Sequence, residues 1–416
     1  MTTLVSHPTG NANTRAVLRG LEAQGALGEF HTTIALPPGP WAEQTFGAAR
    51  TRKLDQRRFP EAPWARQHLH PWPEVLRQWA RRFGPKSLVR HETGPACVDA
   101  VYLALDKAVA SRLRRREAIS IKAVYAYEDG ALESFSAARD LGISCIYDLP
   151  SAHWRVVQSL LSEEAERSPD WVPTLLGLKD SSEKLLRKDQ EILSADHITV
   201  ASSFCLTSVS DHFKAIPAMS VVAYGCPEPV VKEPLTRLPS EALHILFVGR
   251  LSQAKGLADL IKALTLLEID WRLTLVGMRF ETVPSALENL LSDERCSWIG
   301  AVPHKTVLWH MTRAHLFVFP SLMEGFGMVI TEALAAGLPV ITTPHTAGPD
   351  ILTEGKDGFI VPIRAPDVIA ERITLLAENE DLRYEMACNA LSTATRSSWA
   401  HYETGIASLV GEWTSE

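Results

Sequence analysis

Phe319-Pro-Ser-Leu-Met-Glu324-Gly-Phe-Gly327-Met-Val-Ile-Thr-Glu332-Ala-Leu-Ala-Ala-Gly337-Leu-Pro-Val-Ile341 is the stretch whose reading decides the fold. Leu316 to Phe319 is a short apolar run stopped by Pro320, and Leu338 to Thr342 is another. What lies between them reads as the crossover of a parallel βαβ unit. Ligands bind beyond the carboxyl ends of such strands. Glu324, Gly325, Phe326 and Gly327 stand there, where glycines let a backbone approach a ligand and the helix N-terminus offers free N–H groups. On the helix, Val329, Ile330, Ala333 and Leu334 form the core stripe. Glu332 falls off that stripe but stays within two turns of the loop, so one loop carboxylate and one helix carboxylate can face the same ligand. Taken alone, the pair has a plainer reading, in which both acids only complement the positive end of a helix dipole.

The surrounding residues bring in a second line of argument. Glu-Gly-Phe-Gly followed by Thr-Glu-Ala-Leu-Ala-x-Gly-x-Pro-Val closely resembles the signature of retaining, family 4 type glycosyltransferases (glycosyl transferases group 1) of the GT-B fold. The resemblance implies that Glu324 contacts a donor sugar and Glu332 the ribose of its nucleotide, with Gly325, Phe326, Gly327, Met328 and Val329 around the donor. Upstream, Gly249-Arg250-Leu-Ser-Gln-Ala-Lys255-Gly256 places two cations at a strand end and a helix start, a pairing suited to a diphosphate. It is similar to the family's Gly-Arg-Leu-x4-Lys-Gly element, which makes Arg250 and Lys255 the candidates for holding the leaving group, with Gly249 beside them. The implied α/β architecture is two Rossmann-like parallel-sheet domains facing each other across a cleft, with the C-terminal helix crossing back to the first domain.

Length and charge agree with that frame. The 416 residues, 46% of them hydrophobic, suffice for two domains with separate cores. The division expected is 1–226 for an acceptor-side domain, 227–240 for a proline-rich linker, 241–392 for a nucleotide-sugar domain and 393–416 for the returning helix. Six scattered cysteines without a Cys-x-x-Cys pair suggest buried thiols in place of a zinc site or disulfide framework. The formal charge of -7 belongs to the second half, where residues 241–416 carry 13 basic and 22 acidic side chains. No apolar run reaches bilayer length, and Thr3 to Ser6 follows the start without a leader pattern, so a cytoplasmic chain is expected.

In the first half, the strand Thr3 to Ser6 runs into His7-Pro-Thr-Gly10-Asn11 and a helix around 14–24. Gly10 and Asn11 are cleft candidates by resemblance, and ordinary turn residues otherwise. Phe30 to Leu36 is read as the next strand. Residues 37–92 hold eight prolines with Trp41, Trp64, Trp72 and Trp79 among arginines, and are read as an insertion of short helices and loops. From Arg50 to Glu92 eleven basic residues stand against four acidic ones. That excess suits an anionic membrane surface or a phosphate-bearing lipid acceptor; the competing reading is a solvated cap with Trp72 and Trp79 plugged into the core. Arg112 to Arg116 closes a helix that begins near Cys97. Glu128 and Asp129 follow the strand Ala123 to Tyr127, as cleft residues or as a helix-cap pair. His153 comes after the strand Ser144 to Tyr147; the resemblance makes it a sugar-contacting, catalytic candidate, and packing is the alternative.

In the second half, the loop at Gly277-Met-Arg lacks the second glycine usual in the family. No Asp-x-Asp, His-x-x-x-His or helical carboxylate–histidine pair appears, so no metal and no cofactor is expected beyond the nucleotide sugar as substrate. The function these residues point to is retaining transfer of a sugar from a nucleoside diphosphate to an acceptor, with no nucleic-acid partner. A non-catalytic nucleotide-sugar scaffold, or a hydrolase, epimerase or phosphorylase on the same two domains, are the alternatives.

Overall fold

The computed structural model describes residues 2–39, 55–115, 120–177, 179–213, 215–238 and 241–414. Two parallel sheets organise them. The first holds β1 (Thr2–Ser6), β2 (Leu27–Thr32), β3 (Gln67–Leu69), β4 (Ile121–Tyr127), β5 (Ser144–Leu149), β6 (His197–Val200) and β7 (Ala218–Val221), in the order β3-β2-β1-β4-β5-β6-β7. The second holds β8 (Leu243–Val248), β9 (Trp271–Val276), β10 (Cys296–Gly300), β11 (Leu316–Phe319), β12 (Val340–Thr342) and β13 (Gly358–Ile360), in the order β10-β9-β8-β11-β12-β13. In each sheet the order reverses beside the first strand of the domain, which is where an open α/β sheet leaves a crevice for ligands. Central strands such as Leu243–Val248 are buried at every residue, as a sheet covered on both faces requires.

The βαβ unit read from 316–342 is present, with β11 and β12 in register from Phe317 opposite Val340 to Phe319 opposite Thr342 and the helix Met328–Ala335 between them. The helix Glu380–Arg396 packs on that helix, and only after a break at Ser397 does Trp399–Trp413 return to the first domain. There it lies along the helix Ala12–Ala23, so closely that a Cβ on Gly20 would sit 2.3 Å from the Glu403 carbonyl oxygen. Arg19 reaches Glu403 at 2.6 Å and the Trp413 ring stacks on His197. Among the described residues no helix is long and apolar enough to cross a membrane.

Residues 37–92 differ most from expectation. Trp41, Arg50, Arg52 and Lys53 lie outside the described residues. The preceding strand ends at Thr32, earlier than Leu36, and the insertion supplies β3, an edge strand pairing with β2 from Phe30 opposite Gln67 to Thr32 opposite Leu69. Pro71 and Pro73 do not break structure. They fall in the first turn of the helix Pro71–Phe83, where backbone N–H groups have no partner to lose. Phe59 and Ala62 join the core, whereas Trp72 and Trp79 are exposed, at 79% and 51%. The reading in which those two tryptophans plug the core is thereby overturned. Helix Trp154–Arg167 had no counterpart in the sequence reading.

Candidate functional site

Three loops of the second sheet meet at backbone contact. Gly277 after β9 lies against the loop after β8, where a Cβ would come within 1.8 Å of the Gly249 carbonyl oxygen. Gly256, at φ +72°, lies against the loop after β11, with the Pro320 oxygen 1.8 Å from its would-be Cβ. Leu322 N–H donates to the Ala254 carbonyl at 3.0 Å and fixes the same pair of loops. The result carries Lys255 to Glu324: the ammonium donates to Glu324 Oε1, which also accepts from Ser321 Oγ at 3.2 Å. The Glu324 N–H donates to the His345 carbonyl at 2.8 Å. Arg250 is exposed one residue past Gly249; its guanidinium lies 5.5 Å from the Phe280 ring, and among the described residues no carboxylate pairs with it.

Gly327, at φ +87°, caps the helix Met328–Ala335 without a side chain, leaving its first N–H groups open. Met328 is exposed and Val329 half-buried beside it. Glu332 leaves the core stripe as its spacing predicts and meets His304 Nε2 at 2.9 Å. Burial pushes its carboxyl above the usual range, with His304 pulling the other way. Phe326 differs: its ring is buried against Tyr224 of the first domain, centroids 4.9 Å apart, and its carbonyl accepts from Ala347 N–H. It ties the domains together, and its ring is taken up by that contact.

Opposite stands the first domain. A Cβ on Gly325 would lie 1.7 Å from the Pro150 carbonyl oxygen, so the loop after β5 rests directly on the Glu324 loop. Ser202 Oγ donates to the Gly325 carbonyl at 2.7 Å. Pro150 also lines a cavity of about 400 Å³ shared with His7, Asn11, Tyr102, Glu128 and Asp129. Three candidates from two loops, Asn11 after β1 and Glu128 and Asp129 after β4, thus border one space, and Gly10 borders the neighbouring one with Arg57. Asn11 is also the N-cap of its helix, accepting from Thr14 N–H at 3.0 Å, and a Cβ on Gly10 would collide with the Phe59 ring. Glu128 pairs with Lys188 at 3.1 Å and Ser151 Oγ; Asp129 pairs with Arg187 at 3.0 Å. Neither caps the next helix, whose first-turn N–H groups of Glu133 and Ser134 donate to Asp106 instead.

His153 is the clear correction. Its side chain is 1% exposed, with Nε2 3.0 Å from Asp189 Oδ1 and the ring packed beside Trp154, His212 and Phe213. Burial lowers it to about 4. The chain turns into the helix at this residue, which points the imidazole into packing and away from ligand space. His7, which no motif singled out, takes a place at the carboxyl end of β1. It is buried, neutral with a value near 3, and accepts from the N–H groups of Thr9 and Gly10 at 3.1 and 2.7 Å. Its signal was position, directly after the first strand.

Residues 234–393 match the family model described as glycosyl transferases group 1. The second domain belongs to that family. The match covers the loop carrying Glu324 and ends inside the helix Glu380–Arg396, short of the returning helix. Among curated relatives, a D-inositol 3-phosphate glycosyltransferase of Corynebacterium efficiens is 28% identical over 258 residues, 57% of this chain and 61% of its own length. The capsular polysaccharide biosynthesis glycosyltransferase CapM of Staphylococcus aureus is 26% identical over 237 residues, 52% of this chain and again 61% of its own. The chain therefore spans about three-fifths of the length of these relatives. Solved structures align over nearly the whole chain: a sucrose-phosphate synthase from Thermosynechococcus elongatus has a TM-score of 0.67 at 15% identity, covering 100% of this chain and 99% of the other. Anabaena HepE in complex with UDP has a TM-score of 0.63 at 15% identity, covering 99% of this chain and 100% of the other. At that identity the likeness is one of fold, and the fold is GT-B: two parallel-sheet domains, with the group 1 domain second.

Proposed function

We propose that the chain is a retaining glycosyltransferase that moves a sugar from a nucleoside diphosphate to an acceptor hydroxyl. The observation that carries this reading is the Lys255–Glu324 pair, assembled by three glycine-bearing loops beside an exposed Arg250 and directly beneath the first domain. Arg250 and Lys255 hold the diphosphate, Glu324 the sugar, and Glu332 with His304 the ribose side. Transfer breaks the bond between the anomeric carbon and the β-phosphate oxygen and forms one to the acceptor oxygen on the same face; the acceptor proton passes to the departing phosphate. Side-chain cations and the helix N-terminus at Gly327 compensate the charge on that phosphate. No further cofactor takes part in this reading. The names of relatives support the activity, and solved neighbours crystallised with UDP and with UDP-glucose make uridine carriers the first donors to try. A panel of nucleotide sugars, each assayed for nucleotide release, tests it. Acceptor-dependent release from one of them is expected; release from none, with nucleotide binding intact, favours the scaffold reading.

We propose further that the chain works peripherally on an anionic membrane. On the helix Pro71–Phe83, Trp72, Val75, Leu76, Trp79 and Phe83 repeat at one-turn spacing, and all are exposed. The exposed charges between 71 and 90 are all cations, Arg81, Arg82, Lys86 and Arg90. The acid of that stretch, Glu74, turns inward to Arg57 and Arg77 at 3.2 and 2.7 Å. An apolar stripe flanked only by cations fits anionic headgroups, and each cation near the surface is worth about 1 kcal/mol, screened over about 8–10 Å. Flotation with phosphatidylglycerol vesicles at low salt should be strong, fall with added salt, and vanish in Trp72→Ser/Trp79→Ser/Arg81→Ser/Arg82→Ser. Equal binding to neutral vesicles, or no effect of those substitutions, refutes the contact. Arg77 is left in place because it serves Glu74.

A further inference from the structure

The edge of the first sheet carries a cluster that the donor site does not use. Side chains two apart in a strand share a face, so Glu29 and His31 on β2 point the same way. The register sets His68 of β3 beside His31. The His31 ring lies between those of His68 and His70, with centroids 4.7 and 5.3 Å away and interplanar angles of 14° and 17°. Glu29 Oε2 is 2.9 Å from His31 Nε2 and 3.6 Å from His68 Nε2. One ligand atom from each of Glu29, His31 and His68 falls within 4.8 Å of the others. Zinc takes nitrogen and oxygen ligands at about 2.0–2.2 Å in a tetrahedron, whose edges are then about 3.3–3.6 Å; the Glu29–His68 separation already has that length and the Glu29–His31 pair has only to open by a few tenths of an ångström.

The partners around these atoms suit the same use. His31 Nδ1 is 3.1 Å from His70 Nε2, so a proton on Nδ1 donates to His70 and leaves the Nε2 lone pair toward Glu29 and His68. Metal-bound histidines are commonly oriented by such a bond from the second ring nitrogen. Arg112, at the end of the helix Val98–Leu113, takes the other carboxylate oxygen, Oε1, at 2.5 Å and leaves Oε2 free to face the rings. Because Arg112 offsets the charge of Glu29, an ion here rests chiefly on imidazole nitrogen, which suits zinc and its first-row neighbours and not calcium or magnesium.

We propose that Glu29 Oε2, His31 Nε2 and His68 Nε2 bind one zinc ion or a similar first-row divalent cation, with His70 as the positioning residue for His31. Solvent takes the remaining position on the His68 side, where the side chain is 38% exposed. The ion would clamp the three-residue β3, and with it the basic insertion, to β2.

Tag-free full-length protein, stripped with chelator and titrated with Zn²⁺ by calorimetry, tests the assignment; Co²⁺ loading with its visible ligand-field band gives the geometry. One equivalent per chain is expected, with affinity at least tenfold weaker in His68→Ala and in Glu29→Gln, and about 10–100-fold weaker in His70→Ala through the lost orienting bond. Circular dichroism identifies any variant that fails to fold, and the half-exposed His68→Gln substitution then replaces it. Absence of stoichiometric binding overturns the proposal. So does binding that persists in both His68→Ala and Glu29→Gln, or that is lost only in His91→Ala at the separate cluster of His91, Glu92 and Asp180.

Discussion

Replacing Lys255 with alanine separates what the donor loop does for folding from what it does for the reaction. In the structure the ammonium bonds Glu324, and the two side chains are 27% and 16% exposed. Removing a partly exposed pair of this kind costs about 1 kcal/mol or less. Glu324 keeps Ser321 Oγ and its backbone bond to His345, so it is not stranded. The fold should lose no more than about 2–4 °C of melting temperature for a domain of this size. The reaction responds differently, because the β-phosphate gains charge as its bond to the sugar breaks, and a donor aimed at developing charge is worth most in the transition state. Loss of one such donor lowers kcat by about 10²–10³. The expected result is therefore a kcat down by two to three orders of magnitude in a nucleotide-release assay, with the nucleotide Kd from calorimetry changed far less. Lys255→Arg should restore charge but not the reach of a flexible point cation, and so recover activity only in part. Glu324→Ala combined with Lys255→Ala should be far from additive, since both act on one reacting centre. A kcat within threefold of the parent, or a loss that lies wholly in Kd, refutes the assignment.

The other predictions probe neighbouring parts. Glu332→Ala should chiefly weaken donor affinity, because ribose contacts are alike before and during reaction; an unchanged nucleotide Kd removes that role. Gly325→Ala should leave the second domain folded but hold it off Pro150, raising the radius of gyration in solution scattering and lowering activity; a parent-like profile refutes the need for this contact. Burial raises the Asp148 carboxyl to about 7, with Tyr125 O–H donating to it at 2.8 Å. From about pH 4 to 7 the folded form keeps a proton that the unfolded chain sheds, so this group's contribution to stability falls as pH rises, by up to about 1.4 kcal/mol per unit. The stability gap between Asp148→Asn and the parent should widen in favour of the variant across that range, and a gap independent of pH refutes the shift.

The strand, loop and helix around Glu324 were legible because their instructions are local. A strand, a glycine loop and a helix within 20 residues carry Glu324, Gly327 and Glu332, and short parallel crossovers have one sensible geometry. Arg250 and Lys255 were legible for the same reason. His153 was not, because its surroundings come from Asp189, His212 and Phe213, which strand-end position does not reveal. Residues 37–92 depart from the expectation because a proline in the first turn of a helix costs no hydrogen bond, so Pro71 and Pro73 begin a helix where their number suggests a loop. The Glu29–His31 and His68–His70 pairs each show the two-residue spacing of a strand face, but 37 positions separate His31 from His68. Only the pairing of β2 with β3 turns two weak patterns into one cluster.

The charge balance adds a constraint on how a donor enters. Residues 241–416 hold nine more acids than bases, so a diphosphate approaches a domain of its own sign. Charges beyond a Debye length of about 8 Å are largely screened, while a unit pair at 4 Å is worth about 4 kcal/mol at an effective dielectric of 20. The local cations therefore decide the outcome, and of these Arg250 is exposed with no carboxylate paired to it among the described residues, whereas Lys255 is engaged by Glu324. Arg250 can meet the phosphates first. Lys255 can serve them only by giving up part of its bond to Glu324, and that release frees a carboxylate to accept sugar hydroxyls. On this reasoning, the pair seen in the structure is the resting form of a two-part clamp, and donor binding exchanges one ion pair for a cation on phosphate and an acid on sugar. A nucleoside diphosphate without sugar should then bind with Glu324 left to Ser321 Oγ alone, and Glu324→Gln should tighten that product while weakening the intact donor. Equal effects of Glu324→Gln on both ligands would refute the exchange.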